Sequence, residues 1–205
     1  MRKIFVTGIG TDVGKTIVAA VLTEALQADY WKPVQAGYAD GTDTETIRKL
    51  ISNKKTIFHP ETYRLKMPAS PHAAAAAENI SIALKDFTLP VTQNVLIIEG
   101  AGGLMVPLNE RELVIDMIGH FNAEVVLVAR NYLGSINHTL LSAEALQKRG
   151  YKVLGIIYSG EENNASERAI EVFTGLRTIG RINEEIQFSP DIVSRYAEVL
   201  KARLG

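Results

Sequence analysis

The stretch VTGIGTDVGKT, residues 6–16, closes on Gly14-Lys15-Thr16, a lysine and a hydroxyl directly behind a glycine. Glycines let a backbone fold closely around an anion, with free N–H groups and a helix N-terminus pointing at it. The lysine then reaches β- and γ-phosphates, and the threonine hydroxyl suits Mg²⁺. The usual spacing G-x-x-x-x-G-K-[ST] is exceeded by one, because five residues separate Gly8 from Gly14. Two other readings compete. Gly8-x-Gly10-x-x-x-Gly14 fits a dinucleotide fingerprint only in part, since no acidic residue closes the second strand and Lys32 stands there instead. A glycine-rich turn with an incidental lysine is the plain alternative. The strand before the loop and the helix after it favour a triphosphate.

A phosphate loop needs an acidic contribution to its metal. In NVLIIEGAGG, residues 94–103, Glu99 ends an apolar strand and is followed by Gly100, Ala101, Gly102 and Gly103, so its carboxylate can approach Mg²⁺ and phosphates without obstruction. A strand-terminal charge facing water is the alternative. Unpaired, a glutamate in that setting is costly. Asp43, in DGTDTET, is a second candidate. Thr42-x-x-Glu45 reads as a capping box, and a first-turn carboxylate is favoured by the helix dipole whatever its function. Asp43 therefore reads equally well as metal ligand and as helix start.

The elements that must position these groups alternate along the chain. Apolar, β-branched runs at Lys3–Thr7, Tyr30–Lys32, Val95–Ile98, Val125–Ala129, Val153–Tyr158 and Thr178–Gly180 read as strands buried on both faces. Helical period appears at Lys15–Ala28, Thr44–Ile51, Ile136–Lys148, Ala165–Leu176 and Pro190–Ala202, and the five alanines at 73–77 read as a tightly packed helix. Such alternation predicts one α/β domain over 1–205, a parallel sheet with helices on both faces and the loop architecture of a P-loop NTPase. Ligands in such sheets bind beyond the carboxyl ends of the strands, where the unusual residues stand.

Composition bounds the setting. At 205 residues, 46% hydrophobic and 22% charged, the chain reads as an ordinary globular protein with a full core. A net charge of -1 gives no electrostatic reason to expect nucleic acid or an anionic membrane as partner. The absence of cysteine excludes a disulfide framework, thiolate metal sites and a cysteine nucleophile. The first apolar segment runs straight into glycines, which fits neither a signal peptide nor an anchor, and a cytoplasmic location is expected. His59 and His120 have no ligand spacing and read as surface or core fillers.

GTDVGKT, KPVQAG (32–37), SPH (70–72), EGAGG (99–103) and GSINH (134–138), in this order across most of the chain, resemble dethiobiotin synthetase. In that family the loop carries the same extra residue. The resemblance implies the nucleotide-binding α/β fold shared with the nitrogenase iron-protein group, a homodimer, and ATP- and Mg²⁺-dependent joining of CO₂ to 7,8-diaminononanoate. One amine forms a carbamate, ATP phosphorylates it, and the second amine closes a cyclic urea. It further implies nucleotide contacts from Asp12, Val13, Gly14, Lys15, Thr16 and Ile17 and from Gly100 to Gly102, and metal ligation by Thr16, Asp43 and Glu99. Catalytic roles fall on Lys32, Lys15 and Thr11. Lys32 would offset repulsion between the carbamate and the γ-phosphate, although a lysine before proline also fits a plain surface position. Thr11, Lys32 and Ala36 face the diamine, and Gly134, Ser135, Ile136 and Asn137 of the other subunit receive its carboxylate at a helix start. Ser135 or Asn137 serving as an N-cap is compatible with that role.

Three positions depart from the family pattern. Ala36 stands where Ser or Thr is usual, Ser159 where an Asn reads adenine, and Asn183 where a proline follows the last strand. Two other classes share the fold. A nucleotide-switch ATPase of the partition type carries an extra lysine early in the loop, where this chain has Gly10, and a cobyrinate-type amide synthetase needs a glutaminase cysteine that is absent.

Overall fold

Along the central strands, successive side chains enter two different cores. In the computed structural model, which describes residues 1–204 of the predicted 1–205 domain and leaves Gly205 outside the described residues, β1 (Lys3–Gly8) sends Ile4 and Val6 to one core and Phe5 to the other. β6 (Leu96–Gly103) and β7 (Glu124–Arg130) do the same: Ile97, Val126 and Val128 join Ile4, while Leu96, Ile98, Val125 and Leu127 join Phe5. A strand buried on both faces needs helices on both.

The first face is covered by α1 (Lys15–Leu26), α2 (Asp43–Leu50) and α7 (Pro190–Lys201). α1 is buried almost all round, Val18 to Leu22 being fully enclosed, so it is a core element more than a surface helix. The second face carries α3 (Pro71–Ala77), α4 (Val114–Phe121), α5 (Ser135–Lys148) and α6 (Asn164–Thr174). Ala74 and Ala75 of the alanine run are buried, as a packed helix requires.

Seven strands form one parallel sheet in the order β4-β2-β6-β1-β7-β8-β9, with β2 at Asp29–Trp31, β4 at Phe58–His59, β8 at Val153–Ser159 and β9 at Thr178–Ile182. The chain runs from β1 to β2 and β4 on one side, returns to β6, then crosses to build the other side. The carboxyl end of β1 therefore lies where the winding reverses, the crevice in which such sheets bind ligands. The sequence-derived α/β architecture is the observed one.

Four features differ from the sequence expectation, one being the edge strand β4, which falls in a stretch with no strand candidate. β6 does not stop before Glu99 but continues through EGAGG, pairing Gly103 with Gly8 of β1. β3 (Val34–Ala36) and β5 (Tyr63–Leu65) form a separate parallel pair over the site. α4 fills a stretch that the periodic reading left without an element. No helix among the described residues is long and apolar enough to cross a membrane.

Candidate active site

Period-two geometry selects the residues that meet. Ile97 and Tyr30 pack in the core beneath α1, and two residues further along each strand direction come Glu99 and Lys32. Both charges therefore emerge on the face where α1 begins. Thr16, in the first turn of α1, completes the group: its Oγ1 stands 3.0 Å from Asp43 Oδ1 and 2.9 Å from Glu99 Oε1.

Lys32 Nζ lies 2.8 Å from Asp43 Oδ2, 3.0 Å from Glu99 Oε1 and 3.5 Å from the Gly100 carbonyl. Lys32 and Glu99 are only 4% and 1% exposed, so this is a buried ion pair and not a surface lysine. Burial alone would depress the Lys32 ammonium, but the Glu99 and Asp43 carboxylates outweigh it and hold the group above its ordinary range. Asp43 moves the opposite way. Burial would raise its carboxyl, and Lys32 with the Thr16 hydroxyl holds it below the usual carboxylate range.

Asp43 stands at the helix start, as one of its two sequence readings has it, and its carboxylate also reaches Thr16 and Lys32. Thr42 and Glu45 form the capping box, with Glu45 N donating to Thr42 Oγ1 and Thr42 N to Glu45 Oε2 at 3.1 Å each. That cap fixes the turn from which Asp43 reaches Lys32 and Thr16. Gln35, which sequence reasoning passed over, accepts from Asp43 N at 3.1 Å and donates to the Gly37 carbonyl at 2.8 Å, tying the turn to β3.

The phosphate loop spans β1 to α1. Gly14 adopts φ +89°, and a side chain there would collide with Ser159, so glycine is required twice over. No side chain caps α1, leaving its first N–H groups directed at the cleft. Lys15 Nζ donates to the Gly10 carbonyl at 2.8 Å. Its ammonium is lowered by burial first and by neighbouring Lys32, with Glu99 and Asp43 opposing.

These groups line a cleft of about 960 Å³ with Thr11, Asp12, Gly14, Ile17, Ala36, Ala101 and Gly102. Val13 and Gly100 stand behind it: Val13 is buried against Gly8, and Gly100 against Phe5. Gly134, Ser135, Ile136 and Asn137 lie outside this chain's cleft. Ser135 is buried and its Oγ accepts from Tyr132 N at 3.3 Å within its own turn, while Gly134, Ile136 and Asn137 are exposed. His59 pairs with Asp29 at 3.2 Å and His120 with the Phe87 carbonyl at 3.1 Å, both structural contacts.

Arg130, Asn183, Glu184, Glu185 and Phe188 also line the cleft, with Ser159 against Gly14 of the phosphate loop. Arg130, which bonds Glu184, ends β7 and so occupies a carboxyl-end position that the strand rule marks as ligand-facing. Its partner follows β9. In sequence Tyr30 is only a strand residue, yet its hydroxyl donates to Glu99 Oε2 at 2.8 Å.

The oxygen donors fit a hard divalent cation. One hydroxyl proton cannot serve both carboxylates that Thr16 touches, and the set is oxygen only. Among the described residues no group of three or more His, Cys, Asp or Glu forms a self-sufficient metal cage.

Comparison with known proteins decides among the classes that share this fold. Residues 2–191 match the family described as an AAA domain. The ATP-dependent dethiobiotin synthetase BioD of Christiangramia forsetii is 49% identical over 203 residues, 99% of this chain and 98% of its own. That of Cytophaga hutchinsonii is 52% identical over 198 residues, 96% of each. The chain belongs to the ATP-dependent dethiobiotin synthetase family. Membership makes it an ATP-binding ligase that closes C–N bonds in biotin biosynthesis. Among solved structures, the septum site-determining protein MinD of Pyrococcus horikoshii, complexed with Mg-ADP, superposes with TM-score 0.60 over 99% of this chain and 94% of its own, at 14% identity. A ParA family ATPase from Chlorobium tepidum gives 0.57 at 11% identity, over 98% and 93%. At such identities the likeness is one of fold alone.

Proposed function

We propose that the chain, acting as one catalytic unit over 1–205, carboxylates and cyclises 7,8-diaminononanoate with CO₂ and ATP. The observation that carries this reading is the meeting of Lys32, Asp43, Glu99 and Thr16 directly beside the lysine of the phosphate loop. One substrate amine attacks the carbon of CO₂ and loses a proton, giving a carbamate. A carbamate oxygen attacks the γ-phosphorus and ADP leaves. The second amine then attacks the carbonyl carbon of the carbamic–phosphoric anhydride, and inorganic phosphate departs as the cyclic urea closes.

Little covalent chemistry is asked of the protein, so positioning and charge stabilisation carry the rate. Lys32 sits between the two carboxylates and offers its ammonium to the carbamate, offsetting the repulsion that an anion meets in front of a γ-phosphate. Lys15 exchanges the Gly10 carbonyl for the β- and γ-phosphates and stabilises charge on the transferring group. Thr16, Asp43 and Glu99 would hold Mg²⁺, which when bound would supply positive charge to offset that of the triphosphate. Thr11 and Ala36 flank the diamine, and Asp12 and Ile17 flank the nucleotide. Gly100, Ala101 and Gly102 keep side chains out of the way.

In a homodimer, Gly134, Ser135, Ile136 and Asn137 at the start of α5 receive the carboxylate tail of the substrate bound to the other subunit, using exposed N–H groups. Their position outside this chain's cleft fits that reading. A cytoplasmic enzyme follows from the soluble substrates.

The test is a product assay with purified protein, diaminononanoate, bicarbonate, Mg²⁺ and ATP, reading dethiobiotin by mass. Dethiobiotin formed in proportion to ADP is the expected result. Nucleotide hydrolysis without dethiobiotin, stimulated by a protein or membrane partner, would support the switch ATPase reading instead.

A further inference from the structure

We infer that Tyr30 is a positioning residue for this reaction: its phenolic hydroxyl orients Glu99 so that a single carboxylate oxygen faces the metal and Lys32. The inference rests on the proposed role of Glu99 as a metal ligand. Tyr30 lies on β2 opposite Ile97 of β6, fully buried, so its ring runs along the sheet toward the residue two places beyond Ile97. That residue is Glu99. Tyr30 Oη donates to Oε2 at 2.8 Å, whereas Thr16 at 2.9 Å and Lys32 at 3.0 Å both engage Oε1. Among the described residues Oε2 has this one donor.

A glutamate carboxylate turns easily about its last torsion, which is broad and nearly two-fold. Left free in this pocket, Glu99 could swing either oxygen toward Lys32, or offer both, and spend part of its time with no oxygen directed at the Thr16 side. The Tyr30 donor removes that freedom. The ring itself is locked by edge contact with Phe58, centroids 6.0 Å apart, over which the Arg48 guanidinium stacks at 4.4 Å. The hydroxyl therefore acts from a fixed point. It does not itself line the cleft, and the lining group it bonds is Glu99, so its effect on bound metal passes through that carboxylate.

The experiment measures free Mn²⁺ by its electron paramagnetic resonance signal, with protein and a non-hydrolysable ATP analogue present, for the parent, Glu99→Gln, Tyr30→Phe and the double variant. Nucleotide affinity in EDTA and thermal unfolding are measured alongside. Glu99→Gln should weaken Mn²⁺ binding strongly. Tyr30→Phe should weaken it about 10-fold, the scale of one lost charge-assisted hydrogen bond, and leave metal-free nucleotide affinity within about twofold. In the Glu99→Gln background Tyr30→Phe should add nothing to the loss. Tyr30→Met deletes the same donor on a flexible apolar stem and must reproduce the selective loss, whichever variant folds better. Unchanged Mn²⁺ affinity in Glu99→Gln overturns the metal reading itself. Loss in Glu99→Gln with parent-like Tyr30→Phe, equal loss of metal-free nucleotide binding, or additive losses in the double variant overturn only the role of Tyr30.

Discussion

At the phosphate end of the cleft, Lys32, Asp43, Glu99 and Thr16 hold one another at 2.8 to 3.0 Å, Glu99 on a central strand and Lys32 directly after one. Elsewhere along the cleft Arg130 and Glu184 meet as an ion pair whose side chains are 42% and 56% exposed, one of them on the loop after β9. Burial separates the two in energy. An exposed pair contributes about 0–1 kcal/mol and is screened by salt, while removing one partner of a buried pair costs roughly 3–5 kcal/mol because a charge is stranded. Groups held by backbone, burial and each other can stabilise a developing charge without reorganising. Groups held by a solvent-exposed contact adapt to what binds. Under the proposed function the site thus combines a rigid end, set to act on atoms common to every nucleoside triphosphate, with a compliant end at Arg130 and Glu184 where the base would sit.

The rigid end breaks with the largest effects. Lys15→Ala or Thr16→Ala should take dethiobiotin formation below detection in the product assay while near-native circular dichroism is retained, since neither side chain belongs to either apolar core. Lys32→Met keeps the apolar stem and deletes the charge. Turnover should fall at least ~10²-fold, by analogy with a lost oxyanion donor, with a smaller loss of nucleotide affinity. Equal losses in turnover and affinity would assign Lys32 to the phosphates alone. The same variant leaves Glu99 and Asp43 facing each other without their counter-charge, so a melting temperature lower by about 6–12 °C is expected for a loss of about 3 kcal/mol.

A weaker, pH-dependent signature comes from the same cluster. Lys32 is raised above its ordinary value of 10.5, so its contribution to stability is complete below that pH and disappears as pH climbs through the raised value. Asp43 is held below its ordinary value of 3.8, so its contribution is present above that pH and is lost as pH falls through the depressed value. Between these limits the pair adds no slope. Asp43→Asn should therefore flatten the acid limb of a stability-against-pH curve from denaturant titrations and leave the neutral region parallel to the parent. An unchanged acid limb would mean that the limb comes from other carboxylates, such as Glu124, itself lowered by Lys152 and Arg2 against the effect of burial.

Much of this contrast can be read in the sequence because the rigid end obeys strand periodicity. Tyr30 and Lys32, like Ile97 and Glu99, are two apart and must share a face. Their types alone then suggest a charged pair beneath a helix start. Glycine and alanine hid the true length of β6, since EGAGG is poor in the residues strands favour, and only pairing with Gly8 holds it extended. VIDMIGHF, the sequence of α4, is as apolar as a strand and contains a glycine, so periodicity leaves it undecided. β3 and β5 have three residues each, too short for any pattern. The contacts of Tyr30 and the pairing of Arg130 with Glu184 depend on which strands become neighbours, which no local signal states.

The compliant end should give the smallest and most diagnostic effect. Where family resemblance leads one to expect an adenine-reading Asn, Ser159 supplies a single short hydroxyl that lies against Gly14, and Asn183 leaves its backbone N–H on the Tyr196 hydroxyl at 3.2 Å. An amide would offer a donor and an acceptor together to one base edge. A hydroxyl carries both on one atom and cannot pair two neighbouring positions of an edge, and rejection by a factor of 10⁴ or more requires a site built to pair an edge. Glu184 and Glu185, by contrast, line the cleft with acceptors that the amino groups of adenine, cytosine and guanine can all satisfy. GTP and CTP should therefore support dethiobiotin formation within ~10-fold of ATP, the scale of one good hydrogen bond. UTP, whose base has no amino group, should be the poorest of the four. The measurement is kcat/KM for each triphosphate at one Mg²⁺ concentration. Glu184→Gln, which keeps the shape and trades one acceptor for a donor, should shift the order among the four by a few-fold while leaving kcat with ATP within about twofold. An ATP advantage above ~10³ in the parent would mean that this end is as rigid as the other once nucleotide binds, with adenine read by backbone groups along 181–184.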